Sequence, residues 1–150
     1  MIPDFDADGN LPPGVHWITW QEFAQRFGTS PHRHKLLSGL KNALDMLKTA
    51  GCQAVYVDGS FVTTKSVPND FDACWSTKGV DFDLLNLIDP ILLTFGNGRA
   101  AQKAKYLGEL FPADTTEFGT RRTFLEFFQI DKETGDQKGI IAIDLRRLKP

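Results

Sequence analysis

Leu36, Leu37, Leu40, Ala43, Leu44 and Leu47 recur at helical spacing, and the short apolar run Gln53-Ala54-Val55-Tyr56-Val57 follows almost at once. The first pattern predicts a helix over about 31–50, opened by Ser30-Pro31 and closed by Gly51. The second predicts a strand. Thr19-Trp20-Gln21-Glu22 is a T-x-x-E capping box, which predicts a helix around 20–27 ended by Gly28. Phe71-Asp72-Ala73-Cys74-Trp75 reads as a further strand. Asp81 to Leu87 reads as a helical turn or two, and Gly98-Arg99 opens a helix through about Leu110. Thr123 to Gln129 and Gly139 to Leu145 are the strongest strand patterns, and Thr134-Gly135-Asp136 between them predicts an antiparallel pair. Pro3, Gly9, Pro12, Pro13 and Gly14 oppose regular structure, so residues 1–16 are expected to form an extended arm.

The chain has 150 residues, 41% of them apolar and 24% charged, which suits one globular domain. Its net charge of −2 carries no global basic field of the kind that nucleic-acid binding exploits. Apolar runs such as Ile91 to Leu93 fall far short of the roughly 18 residues that a membrane-spanning helix needs. Met1 to Asp6 has neither the positive charge nor the apolar stretch of a secretory signal, so a cytoplasmic protein with no membrane partner is expected. Cys52 and Cys74 lack zinc-site spacing and are expected to be buried thiols.

The chemistry concentrates in Val57-Asp58-Gly59-Ser60, where a strand ends, and Asp70-Phe71-Asp72, where the next begins. Strand side chains alternate, so Asp70 and Asp72 share one face and Phe71 points to the other. Their Cα atoms are then about 7 Å apart. Two carboxylates at that spacing suit Mg²⁺ bound together with substrate phosphates and water. Gly59 lets the backbone approach a phosphate, and Ser60 offers a hydroxyl and an amide.

Gly-Ser, nine residues, then Asp-Phe-Asp resembles the signature of the DNA polymerase beta-like nucleotidyltransferase superfamily. More closely, the whole chain resembles a bacterial family of small uncharacterised proteins within it. That closer likeness also includes L-P-P-G-V-H near the N-terminus and N-G-R-A-A-Q-K-A-K-Y. The resemblance implies an α+β domain over 1–150, with a mixed or antiparallel sheet of about four or five strands and helices mainly on one face. It implies transfer of a nucleoside monophosphate from an NTP to a hydroxyl, with one or two Mg²⁺ ions held by Asp70, Asp72 and a third carboxylate on a later strand. Gly59 and Ser60 would contact the phosphates. Small proteins of this kind are associated with toxin–antitoxin or defence systems, which implies a protein partner or an RNA acceptor. The alternative is a non-catalytic module of the same fold that holds a protein partner.

The third carboxylate has two candidates, Asp144 and Glu126, each flanked by apolar residues on an expected strand. A turn at 134–136 sets them roughly opposite one another. Ile143-Asp144-Leu145 is more similar to the superfamily's third motif. Arg99, Gln102 and Lys103 fall on one helical face beside a helix start and suit a triphosphate, and Lys65 is a further candidate for that role.

Other features have plainer readings. Asp4 to Asn10 imitates half a calcium loop, but Val15 stands where a bidentate glutamate is required. His16, His32 and His34 are scattered and form no metal site. Arg121-Arg122 and Arg146-Arg147 read as surface charge. Trp17, Trp20 and Trp75 read as core or arm-docking residues.

Overall fold

A computed structural model describes residues 2–65 and 67–149, with Ser60 described in its backbone only. Five strands form one mixed sheet in the order β1-β5-β2-β3-β4. They are β1 (Gly14–Ile18), β2 (Ala54–Asp58), β3 (Phe71–Trp75), β4 (Gly108–Pro112) and β5 (Gly139–Asp144). β1 runs parallel to β5 and β3 to β4, whereas β2 is antiparallel to both β3 and β5. The α+β class and the mixed five-stranded sheet are thus as expected.

Helix α1 (Trp20–Phe27) has the expected capping box, in which Thr19 Oγ1 accepts from the Glu22 amide and Glu22 Oε1 from the Thr19 amide. Helix α2 (Pro31–Thr49) starts with Ser30 Oγ accepting from the Arg33 amide. Its leucine stripe packs with Phe23 and Phe27 of α1 and with Val55, Val57, Phe71, Ala73, Leu110, Ile141 and Ile143 of the sheet. α3 (Phe82–Ile88) is capped by Asp81. Alternation sends the intervening strand residues to the opposite face. There Cys74 and Ile140 are covered by Phe128, with Phe111, Phe124 and Phe127 half-buried around them.

Four expectations are corrected. The stretch read as a strand at 123–129 contains a short helix, α5 (Phe124–Phe127), because Thr123 and Glu126 form a second capping box. No 123–129/139–145 hairpin exists: β5 takes β1 and β2 as neighbours. The helix read as running to Leu110 is α4 (Gly96–Tyr106); Asn97, Gly98 and Arg99 have positive φ, and Leu107 in the left-handed conformation turns the chain into β4. The arm also ends sooner than expected, since residues 14–18 become the edge strand β1.

Before β1 the arm is docked. The Asp6 carboxylate accepts from the amides of Asp8 and Asn10 and so closes a turn. Arg26 donates to the Pro3 carbonyl and Phe5 packs edge-on to Phe27. Leu11 is buried, and its carbonyl accepts from the Gly139 amide. Trp75 is buried and Trp20 half-buried in the core, but Trp17 is exposed on β1 against Tyr56. Both cysteines are buried free thiols. Among the described residues, no helix is long and apolar enough to cross a membrane.

Candidate metal and phosphate site

On the sheet face away from α1 and α2, three adjacent strands bring carboxylates to one level. Asp58 of β2 is opposite Asp72 of β3, and Asp72 is in register with Glu109 of β4. Asp70, immediately before β3, has the parity of Asp72 and joins them. One ligand oxygen each from Asp70, Asp72 and Glu109 lie within 4.8 Å of one another, and all three residues are half-buried. An all-oxygen, all-carboxylate donor set fits a hard divalent cation such as Mg²⁺.

The electrostatics show what this crowding costs. Burial, a hydrogen bond to Glu109 and the negative charges of Asp70, Glu109 and Asp58 push the Asp72 carboxyl up to about 8. Near neutral pH Asp72 therefore retains a proton and donates it to Glu109. Burial works against ionisation of Glu109 as well, but hydrogen bonds from Arg99 and Asp72 and the charges of Arg99 and Lys103 hold it below the usual carboxylate range. Arg99 Nη2 is 2.7 Å and Lys103 Nζ 3.5 Å from Glu109 Oε1. Burial also raises Asp70, with repulsion from Glu109 adding to it. Asp58 is raised by burial despite Lys138 Nζ at 3.1 Å.

Gly59 explains how these groups fit. Its φ is +83°, and a Cβ there would lie 2.5 Å from Asp72 Oδ2. The room that glycine leaves is filled by the Asp72 carboxylate, whereas the sequence suggested close approach of a phosphate. From Gly59 the chain makes a 3₁₀ turn (Ser60–Val62) and a loop back to Asp70. The first turn of α2 holds this loop. Arg33, 4% exposed, donates to the carbonyls of Phe61 at 2.6 Å, Lys65 at 2.6 Å and Thr63 at 3.2 Å, and the His32 ring donates to the Pro68 carbonyl.

Two cavities meet at Asp72. One, of about 560 Å³, is lined by Gly59, Thr63, Lys65, Lys132 and Lys138, and the docked arm supplies Asp8, Gly9 and Asn10 as its rim. The Asn10 amide donates to Asp131 at 2.8 Å and the Thr64 amide to the Gly9 carbonyl, which ties arm, loop and rim together. The other cavity, of about 530 Å³, adjoins Glu109 and Arg99 and is walled by Phe111 of β4, Phe95 just before α4, and Phe124 and Phe127 of α5.

Of the residues singled out in the sequence, Asp70, Asp72, Gly59 and Lys65 are brought together. The Ser60 side chain lies outside the described residues. Arg99 and Lys103 reach the site, but as partners of Glu109. Gln102 does not: it is fully buried, accepts from the Leu110 amide and donates to the Ile91 carbonyl, so it fastens α4 to β4.

Neither candidate for the third carboxylate is in the cluster. Asp144 pairs with Ala54, four residues and about 13 Å along β2 from Asp58, and is held by Arg146. Glu126 is exposed and caps α5. Glu109 takes that place, and Asp58 adds a fourth carboxylate. Alternation of Glu109, Leu110 and Phe111 after Gly108 was the available signal for the first. The parity of Tyr56 and Asp58 was the signal for the second.

Residues 3–144 match a family of unknown function, DUF6932, and the chain belongs to that family. No curated protein and no solved structure matches it.

Proposed function

We propose that this member of DUF6932 is a Mg²⁺-dependent nucleotidyltransferase that moves a nucleoside monophosphate from an NTP to a hydroxyl acceptor. The convergence of Asp70, Asp72 and Glu109 from two adjacent strands, beside a glycine whose missing Cβ makes room for Asp72, carries this reading. Glu109, on β4, takes the role for which the sequence offered Asp144 or Glu126.

The three carboxylates would hold one or two Mg²⁺ ions, which supply activation of the attacking oxygen and charge compensation on the leaving pyrophosphate. The remaining work belongs to the chain. Lys65 and Lys132 line the cavity next to Gly59 and would pair with the phosphates. Arg99 and Lys103 neutralise Glu109, which permits three acidic groups to stand together. Arg33 and His32 fix the loop that sets Gly59 against Asp72. In the reaction the acceptor oxygen would form a bond to the α-phosphorus as the bond from that phosphorus to the α–β bridging oxygen breaks, the hydroxyl proton passing to water and pyrophosphate departing.

Thermal unfolding with each of the four NTPs, with and without Mg²⁺, tests this. A ligand at 100 times its Kd adds about 2.7 kcal/mol, or several degrees in a domain of this size. A Mg²⁺-dependent rise with at least one NTP, absent in Asp70→Asn/Asp72→Asn, is expected. A chain that ignores every nucleotide would be a binding module for a protein partner.

A further inference from the structure

Phe95, Phe111, Phe124 and Phe127, from three separate elements, leave ring surface facing the cavity beside Glu109 and remain half-buried. Three of them are nearly parallel and stacked on one another: Phe95 and Phe111 differ by 14° with centroids 6.1 Å apart, and Phe111 and Phe124 by 7° at 4.1 Å. Apolar ring surface gathered in a concave site and left in water favours a ligand that covers it. The Arg99 guanidinium lies 5.4 Å from the Phe111 ring centre while bonded to Glu109, so the aromatic wall is continuous with the carboxylates.

Beyond this wall the chain forms a flap, joined at its base by a Thr116–Thr123 bridge. Glu117 closes its tip by accepting from the amides of Gly119 and Thr120, both at 2.8 Å. The tip carries Phe118, which lines the cavity yet is 100% exposed. No packing among the described residues accounts for a phenylalanine in that position.

Resting on the transferase reading, we propose that this aromatic cavity holds the nucleobase of the donor NTP, with Phe118 closing over it. The division of the site commits it to that occupant. Lys65 and Lys138 line only the cavity on the Gly59 side of Asp72, and Phe95, Phe111, Phe118 and Phe124 only the one on the Glu109 side, while Lys132, Phe127 and Phe128 border both. An NTP laid across the carboxylates puts its polyanionic end among the first and its planar aromatic end among the second. A volume of about 530 Å³ accommodates a nucleoside. Stacking on ring faces is tolerant of base identity and is worth about five- to 150-fold in affinity per base.

Calorimetric titration with each Mg²⁺-NTP and with Mg²⁺-tripolyphosphate, which has the phosphates and no base, separates the two halves. The wild type is expected to bind at least one NTP about fivefold or more tightly than tripolyphosphate. Phe118→Ala, a change at a side chain that packs on nothing, is expected to remove most of that advantage and leave tripolyphosphate affinity unchanged; Phe124→Leu should do the same while retaining apolar volume. Equal affinity for NTP and tripolyphosphate, or equal weakening of both in Phe118→Ala, would overturn the nucleobase assignment and leave the phosphate site standing. No binding of either probe, or binding that Asp70→Asn does not weaken, would overturn the transferase reading and this assignment with it.

Discussion

Asp72 is where placement in the sheet most changes the chemistry of a single side chain. Its carboxyl titrates near 8 in the folded chain, against an ordinary value of 3.8. Between those limits the folded protein retains a proton that the unfolded chain has lost, so without a cation stability falls as pH rises from about 4 to 8. Asp70 and Asp58 are shifted the same way, and Glu109 in the opposite one. In EDTA, melting curves of Asp72→Asn should exceed the wild type by several degrees at pH 8, with the gap closing towards pH 4. Mg²⁺ should raise the wild-type melting temperature more at pH 8 than at pH 6, because the competing proton is already gone. A wild type that grows more stable across this range would contradict the burial of Asp72. Gly59 is the complementary case: Gly59→Ala adds a Cβ at positive φ against Asp72 Oδ2, and should cost about 1–3 kcal/mol in denaturant unfolding and diminish the Mg²⁺ response.

Elements place these residues through a few fastenings. The first turn of α2 serves the core through Leu36 and Leu37 and the site through Arg33, whose guanidinium bonds also to the Phe27 carbonyl and so links α1, α2 and the 61–65 loop. Arg33→Met would orphan several buried carbonyls and should destabilise by about 2–4 kcal/mol. Arg33→Lys should recover only part, since one ammonium lacks the planar fork that reaches several acceptors. Chemical denaturation measures both. Elements were legible in the sequence where their signals are local. Caps at Thr19 and Ser30 and the leucine stripe located α1 and α2, and short apolar runs located β2, β3 and β5. α5 was missed although Thr123 and Glu126 form the same box as Thr19 and Glu22, because the surrounding phenylalanines read as strand and the capping signal was outweighed. β1 and β4 were missed because five residues of modest alternation become a strand only beside a neighbour that pairs with them.

For the whole molecule, topology decides which acidic residues meet. β5 enters the middle of the sheet between β1 and β2, which carries Asp144 to the far end of β2, whereas β4 adds beside β3 and brings Glu109 level with Asp72. Glu109→Gln is therefore expected to abolish the Mg²⁺-dependent thermal response to NTP, while Asp144→Asn and Glu126→Gln leave it intact. The opposite ranking would return the third carboxylate to Asp144 or Glu126 and undo the grouping of Asp70, Asp72 and Glu109.

By itself the sequence determined the α2–β2–loop–β3 run and the shared parity of Asp70 and Asp72. Each of these follows from helix period, strand period or backbone sterics within a few residues. Only the tertiary structure decided that Glu109 and Asp58 complete the carboxylate row, that Asp72 fills the space above Gly59 and that Phe118 overhangs an aromatic cavity. Those meetings join residues up to about 50 positions apart in the chain, and strand order and register, set by which faces the whole sheet buries, bring them together.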